Sequence, residues 1–327
     1  MKRWFLVAAL LIPVILTNIS CGSASTKALT KVKLMLDWVP NTNHTGIFVA
    51  QTEGYFKEAG LDVEIIQPGE VYPEAAVASG AADFGISFQE SVTLARAEKV
   101  PIVSIAAVLQ HNTSGFASPA RLNVTGPAGF EGLRYGSFSS PFESPTLQAL
   151  MNYAGADFSK LTIVNAGSTD PLALIAENQI DLAWIFYGWE GIQAKQQGID
   201  LNIVMMKDYF DCIPDYYTPV VIASEDTIAK KPEVVQAFLK ALSRGYDYAI
   251  ANPDKAADIQ VAAVPELNIE LVKASQEWLS PYYQAEAPRW GEQKESVWQN
   301  YSAWMVTNGI LSAPIDASQA FTNKFLP

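Results

Sequence analysis

The chain has 327 residues, of which 49% are hydrophobic and 17% charged, and its formal net charge is −12. This length suffices for two ordinary domains or one large one, and the composition favours a packed core over a disordered chain. Because like charges repel, the negative charge argues against nucleic acid or an anionic membrane surface as the main partner.

Residues 1–20 have the pattern of a secretory signal peptide. Lys2 and Arg3 precede the apolar run FLVAALLIPVIL, and NIS leads directly into Cys21. A short cationic segment before an apolar core of this size is typical of an exported protein. The run is too short for a good membrane span and is interrupted by a proline.

Cys21 stands where sites that resemble it in bacterial lipoproteins carry a lipidated cysteine. Asn18 replaces the leucine that is usual there, so a plain secretory signal with an incidental cysteine is the alternative. We expect residues 21–31 to form a lipidated N-terminus and flexible tether, which anchors an extracytoplasmic monomer to the bacterial membrane. Cys212 is the one other cysteine and the chain has two histidines, so we expect no disulfide and no metal site.

From residue 32 onward, apolar runs predict alternating strands and helices. The first half reads as strand VKLMLDW, a helix from about Thr45 to Lys57, and then DVEIIQP, PEAAVASG, DFGIS, ESVTLARAEK and PIVSIAAVLQ in strand–helix alternation. The order restarts after His111 with LRYGSFS, SPTLQALMNYAG, LTIVNAG, PLALIAENQ and IDLAWIF, and the chain turns helical after TPVVIAS. A weak internal repeat aligns Asp83 with Asp181, each opening an apolar strand.

This order predicts an α/β fold with two lobes and mostly parallel, helix-covered sheets. We assign residues 32–115 and 220–327 to lobe 1 and residues 116–219 to lobe 2. Open parallel sheets bind ligands at the C-terminal ends of their strands, so facing lobes would enclose a cleft and close on a ligand by a hinge. The expected cleft loops are DWVPNTNH, QPGE, ISFQES, LQHNTS, GSFSSPFESP and FYGWEG.

The loop after the first strand carries Asp37, Trp38 and His44. An indole beside a carboxylate suits a flat ligand that donates hydrogen bonds, since the ring stacks and the carboxylate accepts. For Asp37 the alternative is a role in capping the turn, and for His44 it is that of a satisfied surface histidine. An asparagine or threonine of this loop should cap the next helix.

A second candidate is the aromatic loop FYGWEG, residues 186–191, which directly follows a predicted strand. Aromatic residues on a loop are hard to explain by packing alone, so we expect Trp189 or Glu190 to bind the ligand. The alternative is that Trp189 packs under the hinge. In SSPFESP, from Ser139, backbone N–H groups at a helix start are expected to favour an anion or carbonyl oxygen, with capping by Ser144 as the alternative.

The sequence contains no GxSxG, P-loop, GxGxxG or HExxH motif, and no Ser-His-Asp arrangement is suggested by residue positions. Together with the secretory signal, this favours a binding protein over an enzyme. We expect it to need no cofactor.

The stretches LDWVPNTNHTGIFVAQTEGYFKEAGLDVEI, GAADFGIS, SIAAVLQHNTSGFAS and FYGWEGI resemble the substrate-binding lipoproteins of ABC importers for thiamine-pyrimidine precursors such as formylaminopyrimidine. The resemblance covers nearly the whole mature chain. Its shorter motifs also occur in related proteins that bind nitrate, sulfonates or riboflavin, whereas NTNHTG and GWEGI favour the pyrimidine-binding branch. The resemblance implies a type II periplasmic-binding-protein fold, an ABC permease as partner, and a pyrimidine stacked on aromatic rings.

Acidic and amide groups would read the edge of that ring. The implied ligand-binding residues are Asp37, Trp38, His44, Glu90, Gln110, Phe186, Tyr187, Trp189 and Glu190. Riboflavin or another small heterocycle is the alternative ligand. The same superfamily includes fungal thiamine pyrimidine synthases, but their lysine and histidine would fall near Ser87 and Ser91, and their iron-binding cysteine cluster is missing here.

Lipidation at Cys21 can be tested by palmitate labelling in a bacterial host. The unaltered chain should incorporate radiolabelled palmitate and remain in the membrane fraction, whereas Cys21→Ala should lose the label because the acceptor thiol is gone. Cys212→Ala is the matched control and should label normally. Label retained by Cys21→Ala would exclude an anchor at this residue.

Overall fold

The structure, a computed structural model, describes Met1 and residues 28–69, 71–167 and 169–327. Residues 2–20 of the expected signal and Cys21 lie outside the described residues. The ten strands named here are β1 Thr30–Met35, β2 Leu61–Ile66, β3 Phe84–Ser87, β4 Ile102–Ala107, β5 Ser114–Pro119, β6 Arg134–Ser137, β7 Thr162–Asn165, β8 Leu182–Phe186, β9 Leu201–Met205 and β10 Val220–Ser224.

The helices cover both sheets, and four of the longer ones follow β10. They are α1 Thr45–Thr52, α2 Tyr55–Glu58, α3 Pro73–Ser79, α4 Gln89–Ala97, α5 Glu143–Tyr153, α6 Pro171–Ala176, α7 Ile192–Gln196, α8 Glu225–Lys230, α9 Pro232–Ala251, α10 Pro253–Ala263, α11 Ile269–Gln284, α12 Glu295–Thr307 and α13 Ala317–Ala320. Within the described residues, none of these helices combines the length and apolar character that a membrane span requires.

The strands form two five-stranded sheets with the orders β2-β1-β3-β10-β4 and β7-β6-β8-β5-β9. The chain crosses from the first sheet to the second after β4 and returns after β9. The returning strand β10 runs antiparallel to β3 and β4, and β5 runs antiparallel to β8 and β9. Each sheet is therefore mixed: four of its five strands run in one direction, as expected for a mostly parallel sheet, and β10 or β5 runs against them.

The sequence patterns predict neither β5 nor β9. Strand β5 reads SGFASP, in which Phe116 is the one large apolar residue, so its pattern is weak. All six of its residues are nevertheless buried, because β5 lies inside the sheet between β8 and β9. Tertiary context therefore decides this strand, as is common for short β segments.

The same arrangement of hydrogen bonds occurs in both lobes, at the start of β3 and at the start of β8. The backbone of Asp83 donates to the Lys33 carbonyl at 3.0 Å, and its carboxylate accepts from the Lys33 N–H at 3.0 Å. Asp181 does the same with Arg134, at 2.8 and 3.1 Å. The aspartate thus fastens the start of β3 to β1 and the start of β8 to β6, which accounts for its recurrence in the sequence.

The expected helix from Thr45 to Lys57 is divided into α1 and α2. Gly54 adopts a left-handed backbone with φ 77°, a conformation that glycine reaches without steric cost, and it ends the first helix. Helix α9 ends at Ala251 and α10 begins with Pro253, a residue that is favoured in the first turn of a helix.

The C-terminal segment does not pack on the first sheet alone. Trp298 of α12 belongs to a cluster with residues of the first sheet. Tyr301, Trp304 and Met305 of the same helix belong to the core of the second sheet. Assigning all of 220–327 to lobe 1 therefore does not describe α12, which is buried against both lobes.

Helices α1 and α9 cross at Gly46 and Gly245. A Cβ atom added to Gly245 would overlap the carbonyl oxygen of Gly46, and one added to Gly46 would overlap the Tyr246 ring. Both glycines are thus fixed by close approach of the two helices and not by an unusual backbone angle.

We predict that Gly245→Ala destabilises the protein by about 2 kcal/mol or more in urea unfolding, because overpacking outweighs alanine's gain in helix propensity of about 1 kcal/mol. Gln236→Ala, on the exposed face of α9, is the control and should change stability by less than about 0.5 kcal/mol. Equal stability of Gly245→Ala and the unaltered protein would show that the helices can separate at no cost.

Candidate ligand-binding cleft

The loop between β1 and α1 presents Asp37 at the C-terminal edge of the first sheet. Nε2 of His44 lies 2.6 Å from the Asp37 carboxylate, and Nδ1 of the same ring accepts from the Asn41 N–H at 3.2 Å. With Nδ1 as acceptor, the neutral ring carries its proton on Nε2 and donates it to Asp37. His44 therefore holds Asp37 in one orientation.

The His44 side chain is fully buried, so in this structure it reaches a ligand only through Asp37. Asn41 caps the turn that leads into α1, because its side chain accepts from the Asn43 N–H at 2.9 Å. This confirms the expected cap. Trp38, by contrast, is 37% exposed and its ring is available for contact.

A buried amide supports this loop from below. Gln260 of α10 donates to the Asn41 carbonyl at 2.6 Å and accepts from the Thr45 hydroxyl at 2.6 Å. Gln260 itself is completely buried. Both ends of the amide are satisfied, which fixes the loop conformation in a dry environment.

Helix α11 connects this loop to the second lobe. The Ser275 hydroxyl lies 2.5 Å from the Thr42 hydroxyl and donates to the carbonyl of Gly188. Next to it, the Tyr187 ring packs on Trp278 with centroids 4.9 Å apart. In this structure the Tyr187 ring packs against α11, and its contact with a ligand stays a prediction.

Glu74 of the first lobe lies near Asp37, and Glu90 lies near Glu74, with no cation among the described residues acting on either glutamate. Glu74, at the start of α3, accepts from the Ser87 hydroxyl, and burial raises its pKa, to which the charge of Asp37 adds. Glu90, in the first turn of α4, is 4% exposed. Burial raises the pKa of Glu90 to about 8, and the charge of Glu74 contributes. Glu74 reads in the sequence as an ordinary acid in the first turn of a helix, although its place after β2 puts it at the ligand-binding edge of the sheet.

The second wall is the π-helical turn Tyr187–Gly191, which directly follows β8. The Glu190 carboxylate accepts from the Phe186 N–H at 2.9 Å, and burial raises its pKa to about 7. Trp189 in the same turn is half-buried. Glu190 therefore both closes the turn and brings a second-lobe carboxyl group to the cleft.

Aromatic rings from the two lobes meet between these walls. Phe88 precedes α4 and Phe186 ends β8, and their rings are nearly parallel, with centroids 6.3 Å apart and an interplanar angle of 16°. A flat ring inserted between them needs about 7 Å, twice the contact distance of about 3.5 Å. A small opening of the cleft would therefore admit an aromatic ligand. Phe88 falls in the stretch ISFQES, which the sequence predicts as a cleft loop, but nothing in the sequence pairs it with Phe186.

Gln110 does not face the cleft. Its side-chain amide donates to the Glu292 carbonyl at 3.0 Å, and its backbone N–H donates to Tyr282. The neighbouring His111 joins the two crossover segments, with Nδ1 2.5 Å from Asp215. The hydrogen bond to Asp215 raises the pKa of His111 to about 9, and a second carboxylate adds to the effect. These residues hold the crossovers together.

The expected anion site at residues 139–145 is occupied by the chain's own carboxylate. Glu143 accepts from the Phe138 N–H at 3.1 Å, the Ser140 N–H at 2.6 Å and the Tyr135 hydroxyl at 2.6 Å. Helix α5 begins at Glu143 with no side-chain cap, so the alternative of capping by Ser144 also fails. The backbone donors of this loop are therefore used internally.

A groove of the described surface lies elsewhere, at the N-terminal ends of β1 and β2. It encloses about 490 Å³ and is lined by Lys31, Val32, Lys33, Asp62, Glu64, Gly80, Ala81 and Asp83. Ligands of open α/β sheets bind at the opposite, C-terminal edge. The Asp83 carboxylate in this groove is already bound to Lys33 and Lys231, so we place the site in the interlobe cleft.

The cleft therefore offers aromatic faces and carboxyl groups. None of the cleft-facing groups described above is a lysine or arginine, which disfavours small anions as ligands. No group of histidine, cysteine, aspartate and glutamate within the described ranges is arranged to hold a metal ion. The arrangement suits a flat ring that donates hydrogen bonds.

Comparison with solved structures identifies the fold. The periplasmic aliphatic sulphonate binding protein SsuA of Escherichia coli has a TM-score of 0.66 at 13% identity, covering 88% of this chain and 91% of its own. The periplasmic nitrate-binding protein NrtA of Synechocystis PCC 6803 has a TM-score of 0.68 at 12% identity, covering 91% and 88%. These structures confirm the predicted type II periplasmic-binding-protein fold.

Similar sequences cover nearly the full length of the chain. The formylaminopyrimidine-binding protein of Halalkalibacterium halodurans is 29% identical and covers 99% of both chains. The riboflavin-binding protein RibY of Chloroflexus aurantiacus is 26% identical over 100% of this chain and 99% of its own. The 4-amino-5-hydroxymethyl-2-methylpyrimidine phosphate synthase THI11 of Saccharomyces cerevisiae is 26% identical over 90% and 88%.

A family model described as NMT1/THI5 like matches residues 41–256. The match begins at the cap of the Asp37 loop and runs through both sheets to the start of α10. It thus includes both walls of the cleft apart from Asp37 and Trp38. Since this match covers well over half of the chain, the chain belongs to the NMT1/THI5-like family.

Proposed function

We propose that the protein is the extracytoplasmic solute-binding component of an ABC importer and that it captures a thiamine pyrimidine precursor such as formylaminopyrimidine or a hydroxymethylpyrimidine. The observation that carries the proposal is the pairing of Phe88 and Phe186 across the cleft, with Asp37 and Glu190 on opposite walls. The full-length similarity to a formylaminopyrimidine-binding protein supports it.

The chemistry of an aminopyrimidine matches this arrangement. Its flat ring stacks on aromatic faces, and its exocyclic N–H groups donate to carboxylates. Asp37 is directed by His44 and needs one further donor, which an amino group supplies. The affinity would come from stacking and from a few buried hydrogen bonds, each worth about 1 kcal/mol or more when a charged group takes part.

Riboflavin is the second candidate, because its larger ring also needs aromatic plates and a relative of the same length is a riboflavin-binding protein. Exposed aromatic residues beyond the Phe88–Phe186 pair favour it, notably Trp38. A sulfonate or nitrate fits less well, since cleft carboxylates repel anions.

An enzyme is disfavoured by the residues at the cleft floor, although relatives in this family are pyrimidine phosphate synthases. Ser87 and Ser91 stand where the resemblance expects the lysine and histidine of those enzymes. The Ser87 hydroxyl donates to Glu74, and a hydroxyl cannot form the Schiff base that a lysine amine forms with a carbonyl. The proposed role is therefore binding without catalysis and without a cofactor.

Delivery to a permease requires a change of shape on binding. Closure of the lobes about the two crossovers would present a composite surface to the importer. A lipidated Cys21 and a tether of residues 21–31 would keep the monomer near the membrane. The similarity to periplasmic proteins supports an extracytoplasmic location.

Ligand identity is testable by thermal unfolding of the mature protein. Formylaminopyrimidine at about 100 times its Kd should add about 2.7 kcal/mol of stability, whereas nitrate and an alkanesulfonate should add none. A shift with riboflavin and none with either pyrimidine would replace the proposed ligand. An absorbance band of a Schiff base with pyridoxal phosphate would contradict the binding role itself.

The walls of the cleft are testable by calorimetry. Asp37→Asn and Glu190→Gln should each weaken pyrimidine binding about tenfold or more, because a carboxamide accepts an N–H more weakly than a carboxylate. Asp62→Asn, an exposed acid on β2, is the control and should bind like the unaltered protein. A variant with unchanged affinity would remove its residue from the site.

A further inference from the structure

Glu90 is the one glutamate of the first lobe whose carboxyl oxygen is buried without a partner in the part of the chain described. Its Oε2 has no hydrogen bond, and the residue is 4% exposed. Glu90 lies two residues after Phe88, whose ring faces Phe186 of the other lobe. An unpaired polar atom in such a place is costly unless a ligand or water satisfies it.

The groups that face Glu90 come from three other elements, and none is a cation. Glu74 of α3 bears a like charge, Tyr216 lies on the second crossover and Tyr301 on α12. Burial raises the pKa of both tyrosines, and a charge on Glu90 would add to this effect. Because burial raises the pKa of Glu90 to about 8, the side chain is a neutral carboxylic acid near neutral pH.

A neutral carboxylic acid differs from a carboxylate in what it can bind. It has one O–H donor beside one carbonyl acceptor, whereas a carboxylate only accepts. The edge of an aminopyrimidine has the reverse pattern, a ring nitrogen that accepts next to an amino group that donates. The two patterns match through a pair of parallel hydrogen bonds.

We propose that Glu90 is a specificity-determining residue that reads the amidine edge of the ligand as a neutral acid, with its O–H donating to the ring nitrogen and its carbonyl accepting from the adjacent amino group. This inference rests on the proposed function. It assigns the protein a preference for ligands in which a ring acceptor and an N–H donor are neighbours. It also makes binding depend on a proton that the empty protein already holds.

The test is calorimetry with formylaminopyrimidine from about pH 7 to about pH 9.5, on the mature chain. The affinity of the unaltered protein should be constant to about pH 8 and then fall about tenfold per pH unit, as Glu90 loses its proton. In paired buffers at about pH 9, it should take up close to one proton per ligand bound. Glu90→Gln should bind within about tenfold of the unaltered protein near pH 7, because the carboxamide keeps one donor and one acceptor, and the fall above pH 8 and the proton uptake should disappear.

Two further variants separate this role from a structural one. Glu90→Leu should bind about 100-fold more weakly near pH 7, with circular dichroism confirming that it folds. Glu98→Gln, at the exposed end of α4, should follow the unaltered protein at every pH. Other cleft groups that titrate in this range are common to all variants, so the difference between Glu90→Gln and the unaltered protein isolates Glu90.

Three outcomes overturn the inference. If Glu90→Gln abolishes binding and the unaltered protein binds more tightly at high pH, Glu90 acts as a carboxylate paired with a cation. If Glu90→Leu binds with the affinity of the unaltered protein, Glu90 does not contact the ligand. If the pH dependence is the same in Glu90→Gln and the unaltered protein, another group carries it. Failure of the unaltered protein to bind pyrimidine at any pH would instead contradict the proposed function.

Discussion

Burying a carboxyl group away from water and from cations favours its protonated form, and the cleft holds Glu74, Glu90 and Glu190 under this constraint. The fold tolerates the free-energy cost of burying these carboxyl groups because each glutamate lies where a parallel strand ends or a helix begins. Glu190 recovers part of it by accepting from Phe186, and Glu74 by accepting from Ser87. Glu90 recovers none through Oε2. The cleft is therefore preorganised for a partner with hydrogen-bond donors.

The two walls are kept in register by α11. Ser275 contacts Thr42 of the first-lobe loop and the Gly188 carbonyl of the second-lobe turn, while Trp278 packs beside Tyr187. His111 and Asp215 join the crossovers on which closure would turn. Helix α11 thus contacts both walls of the binding surface near the hinge. Movement of one lobe relative to the other changes the distance between Phe88 and Phe186.

The two-lobed α/β architecture follows from the order of apolar runs, because strong periodic segments report local structure well. The repeated aspartates Asp83 and Asp181 are also readable, since each fastens a strand start. The antiparallel pairing of β5 is not readable, because SGFASP has little strand character of its own and is a strand only between its neighbours.

The candidate site is readable in part. Asp37 and Glu190 stand out as acids at strand ends, whereas the burial of His44 and the internal hydrogen bonds of Gln110 depend on segments far away in sequence. Phe88 is readable as part of the predicted cleft loop ISFQES, whereas its pairing with Phe186 and the position of Glu74 depend on the fold. The backbone N–H donors that follow β6 look unoccupied in the sequence. In the structure they donate to the carboxylate of Glu143, which lies eight residues after Tyr135.

The crystal structure of the complex with formylaminopyrimidine tests the central claim most directly. We expect a pyrimidine ring between Phe88 and Phe186, with the two rings moved apart to about 7 Å and Asp37 in contact with an N–H of the ligand. A ligand bound elsewhere, with the two phenylalanine rings still 6.3 Å apart, would contradict it.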